Sequence, residues 1–167
     1  MRGGRRDGGD AVLRRIDELQ LSYIDALDSK DLAGWLGTFQ ENAAEYYVIP
    51  IEHIEDNLPL SLLHDDCYAR LLDRVTFIEK IWVGIYEDYQ MRHFVQRVRV
   101  RAADAPDTYD VWSNLSVMYT DNDGHAHVLA VGTYEDRVRV NSERACFLRK
   151  RVILDNFTTP RYIVYPL

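Results

Sequence analysis

Residues 109–155 read YDVWSNLSVMYT (109–120), DNDG (121–124), HAHVLAVGTYEDRVRV (125–140), NSE (141–143) and RACFLRKRVILD (144–155). The long runs are rich in Val, Tyr, Leu and Thr, and the short ones are clusters of Asp, Asn, Gly, Ser and Glu, the pattern of strands joined by tight turns. Just upstream, Phe94, Val98, Val100 and Ala102 alternate with His93, Arg97, Arg99 and Arg101. That period of two predicts a further strand, apolar toward the core and basic on the other face, closed by the turn Asp104-Ala105-Pro106-Asp107. Everything after Tyr89 is thus predicted as an antiparallel meander, with strands over 109–120, 126–140 and 145–155.

Toward the N-terminus the period changes. Val12, Ile16, Leu19, Tyr23 and Leu27 recur at three and four residues, with Arg14, Arg15, Asp17 and Glu18 between them, which predicts an amphipathic helix capped by Asp10. Leu32, Trp35, Leu36 and Phe39 predict a short second helix behind Ser29 or Asp31, weakened by Gly34 and Gly37. Residues 44–51 read as a strand that Pro50 pushes to an edge or an end. Residues 52–66 show no period and read as a loop. The stripe Tyr68, Leu71, Val75, Ile78 and Trp82 predicts a third helix, placed just after the acidic pair Asp65 and Asp66. The first nine residues, MRGGRRDGG, hold four glycines and three arginines and predict a disordered tail, leaving 10–167 as one domain. Helices first and a meander after make an α+β fold, with the helices on one face of a curved sheet.

Composition removes several functions. With 20 Lys and Arg against 27 Asp and Glu over 167 residues, the net charge is −7, so a surface built to bind DNA or RNA is not expected. Cys67 and Cys146 are too few for a disulfide framework, no apolar run approaches the length of a membrane span, and the arginine-rich start is unlike a signal peptide, so a cytoplasmic protein is expected. Neither cysteine lies in a Cys-x-His pair, so a Rieske cluster has no ligands in this chain, and no glycine-rich nucleotide signature occurs. His125 and His127 share a strand face, but Val131 and Gly132 stand where a metal site would want a carboxylate, which makes them hairpin histidines.

Two features remain. A cone of helices on a curved sheet can enclose a pocket for proton chemistry, and His93 with Asp88 or Asp110, and Tyr23, are its candidate acid–base groups. Alternation argues for a structural His93, because it places the imidazole on the face of Arg97, Arg99 and Arg101, and Tyr23 sits on a core stripe. The recurrent arginines Arg97, Arg99, Arg101, Arg137, Arg139, Arg149 and Arg151 form either a solvated face with cross-strand ion pairs or a surface for an acidic partner.

The order of certain pieces resembles a family. Asp31-Leu-Ala-Gly-Trp35-Leu36, Tyr46-Tyr47-Val48-Ile49-Pro50, Asp65-Asp66 leading into Leu71-Leu72-Asp73-Arg74-Val75, Arg92-His93 opening a basic strand, Gly132-Thr-Tyr134-Glu-Asp136 and Arg149-Lys-Arg151-Val152-Ile153-Leu154-Asp155 resemble the β (small) subunit of aromatic-ring-hydroxylating dioxygenases from about Arg15 to Asp155. The resemblance implies a cone-shaped fold of the nuclear transport factor 2-like (NTF2-like), scytalone dehydratase-like type, with N-terminal helices on a strongly curved, mixed, mostly antiparallel sheet. It implies a subunit without a catalytic centre or cofactor, which supports a larger α subunit in an assembly of three α and three β chains. The Rieske 2Fe-2S cluster and mononuclear Fe(II) would belong to the α subunit, and NADH would supply electrons through a reductase. Trp82, Tyr86, Trp112, Arg97, Arg99 and Arg101 are the interface candidates, since aromatic and arginine side chains concentrate at interfaces. Gln96 and Arg97, and the ending from Asn156 to Leu167, depart from the family pattern and point to the branch acting on carboxylated arenes such as benzoates, salicylates or phthalates. The alternatives are a free-standing isomerase or dehydratase and a small-aromatic binding protein.

Overall fold

The structure, a computed structural model, describes residues 4–156 and 158–167. Helix α1 spans Gly4–Asp28 and α2 Leu32–Gly37; strand β1 is Glu45–Pro50, α3 is Ile51–Glu55 and β2 is Leu63–Asp65. Helix α4, Tyr68–Thr76, runs on into a π-helical turn at Phe77–Ile81. The meander follows as β3 (Gln90–Ala102), β4 (Thr108–Thr120), β5 (Ala126–Val140) and β6 (Ala145–Leu154). All six strands form one sheet in the order β2-β1-β6-β5-β4-β3, antiparallel except for β1 beside β6. The α+β fold on a mixed, mostly antiparallel sheet is as predicted.

The sheet curves because each long hairpin carries one extra residue. Val98 on β3, Leu129 on β5 and Leu148 on β6 have no opposite number in the register. Such bulges bend a strand and raise its twist. The concave face takes helix α1, whose Ile16, Leu19, Tyr23 and Leu27 are buried as the stripe predicts. Around the Tyr23 ring lie Phe147 at 5.4 Å, Phe39 at 6.1 Å, Tyr134 at 6.2 Å and Trp35 at 6.4 Å between centroids, the first three edge-on. Aromatic pairs in this geometry contribute about 0.5–1.5 kcal/mol each beyond area burial. At the start of α2 the carboxylate of Asp31 accepts the Gly34 N–H at 2.9 Å, and a Cβ on Gly34 would meet that carboxylate at 2.3 Å. The glycine that weakens the helix is therefore what lets its cap close.

Several boundaries differ from the sequence reading. Helix α1 begins at Gly4 rather than Asp10, so residues 4–9 prolong it instead of forming a tail; once a helix is nucleated, each added residue gains a hydrogen bond. Residues 1–3 of that tail lie outside the described residues. The loop over 52–66 holds α3 and β2, both too short to show a period. Pro50 ends β1, which has neighbours on both sides. The third helix ends its α-helical part at Thr76, six residues short of Trp82.

The face assignment of β3 is reversed in its first half, while beyond the bulge Val100 packs against the core as predicted. Met91 and His93 are buried while Phe94 and Val98 are 62% and 60% exposed. Polar residues face inward because α1 offers carboxylates above them, and the bulge at Val98 then turns Arg99 and Arg101 outward. Hence His93 shares its face with Arg97 and not with the other two arginines. Among the described residues no helix is long and apolar enough to cross a membrane.

Candidate functional site

The convex face of the sheet carries one continuous row. Arg99 stands opposite Trp112, Trp112 opposite Glu135, Glu135 opposite Arg151, Arg151 opposite Tyr47, and Tyr47 opposite His64. The Arg99 guanidinium lies 4.1 Å from the Trp112 ring centre and that of Arg101 5.7 Å. Arg151 donates to Glu135 at 2.9 Å, and the Tyr47 and His64 rings are 4.7 Å apart. In the next row Arg137 donates to Asp110 through Nε at 2.9 Å and Nη2 at 3.2 Å. Exposed pairs of this kind add under about 1 kcal/mol to stability, so the row matters mainly as surface chemistry.

Trp112, Arg99 and Arg101 are thus brought together. Arg97 is not among them, since its guanidinium donates to Asp17 of α1 through Nε at 2.6 Å and Nη2 at 3.0 Å. Trp82 and Tyr86 form a second locality beyond the π-helical turn. Trp82 separates a cleft of about 500 Å³ lined by Asp65, Arg70, Asp73, Arg74 and Phe77 from another of about 310 Å³ lined by Ile85, Tyr86, Tyr162, Ile163 and Val164. Phe77, Ile81, Val83 and Ile85 around it are all about half exposed or more.

The acid–base candidates do not converge. His93 Nδ1 lies 2.6 Å from Asp28 Oδ1, and its backbone N–H donates to Oδ2 at 3.1 Å, so its carboxylate partner is neither Asp88 nor Asp110. Asp88 accepts Lys30 at 2.6 Å and the Tyr165 hydroxyl at 3.3 Å, while Asp110 is on the convex face. Tyr23 is core, with its hydroxyl donating to the Leu167 carbonyl at 2.7 Å. Asp28, at the end of a helix and 65 residues from His93, offered no sequence signal beyond its charge.

Inside the cone is a feature the sequence reading missed. Lys150 Nζ donates to Asp136 Oδ2 at 2.8 Å, and both side chains are wholly buried. The ammonium rests 3.6 Å from the Tyr134 ring centre, 4.3 Å from Phe147 and 4.5 Å from Tyr23. Burial pushes Asp136 up to about 6 against the pull of Lys150, and burial lowers Lys150 to about 8 against the pull of Asp136. The available signal was the period of two: Lys150 alternates with Arg149 and Arg151 and falls in phase with Val152 and Leu154.

Metal-binding residues are scattered. His127 Nε2 lies 2.8 Å from Asp121 in the β4–β5 hairpin, Cys67 is exposed and Cys146 buried. Among the described residues no three His, Cys, Asp or Glu side chains form a cluster able to hold a metal ion.

Comparison with known proteins fits this architecture. The chain is similar to the β subunit of a protein described as an aromatic-ring-hydroxylating dioxygenase from Novosphingobium aromaticivorans, with 22% identity, a TM-score of 0.83 and coverage of 95% of this chain and 99% of that one. It is similar to the β subunit of benzoate 1,2-dioxygenase from Burkholderia mallei at 20% identity and a TM-score of 0.70, covering 84% and 89%. A protein described as a scytalone dehydratase from N. aromaticivorans shares the fold at 14% identity and a TM-score of 0.70, covering 96% and 95%. At these identities the likeness shows the cone fold alone. No match was found among curated proteins. The sequence model of the family described as "Ring hydroxylating beta subunit" matches residues 24–161, most of the chain, and the chain therefore belongs to that family.

Proposed function

We propose that this chain is the non-catalytic β subunit of a Rieske-type aromatic-ring-hydroxylating dioxygenase, holding catalytic α subunits in a cytoplasmic assembly of three α and three β chains. The α subunit carries the Rieske 2Fe-2S cluster and mononuclear Fe(II), and a reductase delivers electrons from NADH. The substrate class is a carboxylated arene, as the benzoate of the similar Burkholderia protein is. The observation that carries this reading is the family match over residues 24–161. Support comes from a concave face filled by packed side chains, and from a convex face on which Arg99, Arg101 and Trp112 lie beside Glu135 and Arg151. The free-standing isomerase loses its footing because His93, Asp88 and Tyr23 each have a separate partner.

Co-expression with a Rieske α chain encoded beside it tests the proposal. The two chains should co-purify with equal stoichiometry, and the complex should hydroxylate a benzoate while this chain alone converts nothing. Trp112→Ala should weaken the assembly about tenfold or more, the scale of an interfacial tryptophan, while the melting temperature of the isolated chain holds. Turnover by the chain alone, or failure to bind any α chain, refutes it.

A further inference from the structure

The base of the cone is closed by residues 160–167, which are held at three points. Arg161 donates to the Glu87 carbonyl at 2.8 Å and lies 4.4 Å over the Tyr89 ring. The Tyr165 hydroxyl meets that of Tyr86 at 2.7 Å and donates to Asp88 at 3.3 Å. Leu167 is fully buried, with its carbonyl accepting from Tyr23 at 2.7 Å and Tyr46 at 3.4 Å, and its N–H donating to the Tyr46 oxygen at 2.9 Å. The pocket around Leu167 thus grips an oxygen acceptor with two phenols and encloses a branched hydrocarbon.

The same chamber has spare donors. Trp35 Nε1 and the Tyr134 hydroxyl are buried without a hydrogen-bond partner, although buried polar groups are nearly always satisfied. Trp35 and Tyr134 both pack on Tyr23, at 6.4 and 6.2 Å, and Trp35 also packs edge-on against Tyr46 at 5.8 Å. Lys150 places a cation 4.5 Å from the Tyr23 ring centre. Burial, the largest influence on both phenols, raises Tyr23 and Tyr46 far above neutrality and keeps them as donors.

We propose that this chamber is a binding site for a small apolar carboxylic acid, and that residues 162–167 are its resident occupant. An acid that gives its carboxylate to Tyr23 and Tyr46, and its hydrocarbon to the space of the Leu167 side chain, displaces the segment. The inference rests on the concave face alone and stands whether or not the chain binds an α subunit.

Limited trypsin digestion of the full chain reads the displacement. Cleavage after Arg161 requires the segment to lift, whereas cleavage after the exposed Arg144 in the β5–β6 turn does not and serves as the reference. The probe is 4-methylpentanoate, which has the leucine side chain and a carboxylate, and the control is 4-methylpentan-1-ol. At about ten times its dissociation constant the acid should raise the open population, and with it cleavage after Arg161, roughly tenfold. The alcohol should do nothing, Tyr165→Phe should raise cleavage after Arg161 both with and without acid by loosening the latch, and Tyr23→Phe should abolish the response to acid. Circular dichroism verifies each fold, and Tyr46→Phe replaces Tyr23→Phe if that variant is unfolded. An unchanged ratio with acid in both the wild type and Tyr165→Phe, equal acceleration by the alcohol, or a full response without the phenol overturns the proposal.

Discussion

Replacing Lys150 by Met while keeping Asp136 leaves a carboxylate sealed against aromatic rings with its cation gone. Breaking a buried pair from one side costs about 3–5 kcal/mol, a large part of the total stability of a domain this size. The remaining carboxylate escapes by taking a proton. Measured from the unfolded value of 3.8, that protonation costs about 4 kcal/mol at pH 7 and about 2 kcal/mol at pH 5, at 1.36 kcal/mol per pH unit. The sign follows from linkage: a raised folded-state Asp136 contributes stability that is full below pH 3.8 and lost as pH rises. The wild type, with Asp136 up at about 6, recovers about half of what the variant recovers between pH 7 and 5, so the Lys150→Met deficit shrinks by about 1 kcal/mol over that range. Exchanging both partners, Lys150→Met with Asp136→Leu, removes the charge altogether and should leave stability within about 1 kcal/mol of wild type or above it. Urea unfolding at both pH values, followed by circular dichroism with the slope checked for constancy, measures all three. A single-variant deficit under 1 kcal/mol, a deficit indifferent to pH, or a double variant as damaged as the sum of its parts would refute the reasoning.

In the wild type the pair weighs against stability most between pH 6 and 8, where Asp136 is already ionised and Lys150 still protonated; the double variant's advantage should peak there and fade on either side. Gly132→Ala places a Cβ 1.9 Å from the Ile153 carbonyl oxygen, a backbone atom, so β5 and β6 must part and urea unfolding should show a loss of about 3 kcal/mol or more. Asp28→Asn removes the charge from both hydrogen bonds to His93 and should cost about 2 kcal/mol by the same assay. Asp31→Ala deletes the cap of α2 and should lower stability by about 1 kcal/mol without changing the slope of the urea transition.

Strands β4, β5 and β6 were legible because turn chemistry and alternation agree there: DNDG and NSE fall where the hairpins turn. Helix α1 was legible from its stripe. What escaped were effects of one residue. A bulge reverses the faces of a strand without altering its composition, so Arg97 and Arg99, two apart and read as neighbours, lie on opposite sides of the sheet. The sequence suggests only that Asp65 sets a helix N-terminus electrostatically, but it is buried in β2 and accepts Arg74 at 2.5 and 3.0 Å, a contact neither residue signals alone. The segment PRYIVYPL (160–167) has neither period, and its placement depends on tyrosines contributed from α1, β1 and the stretch before β3.

The two faces of this sheet are set apart by single-residue offsets along the same strands. On β5 Glu135 points outward to Arg151 and Asp136 inward to Lys150; on β6 Arg149 and Arg151 point outward with Lys150 between them. Outward pairs remain hydrated and contribute little to folding, which leaves the convex surface free to be selected for contact. The inward pair bears the full desolvation cost, and three aromatic rings around the ammonium return part of it. Slipping β6 by one position would bury two arginines and expose the lysine, a loss far larger than any single contact supplies, so the charge pattern fixes the register as firmly as the apolar residues do. A cone whose interior specifies its own alignment in this way can carry Arg99, Arg101, Arg137 and Arg151 around Trp112 on its exterior without losing its shape.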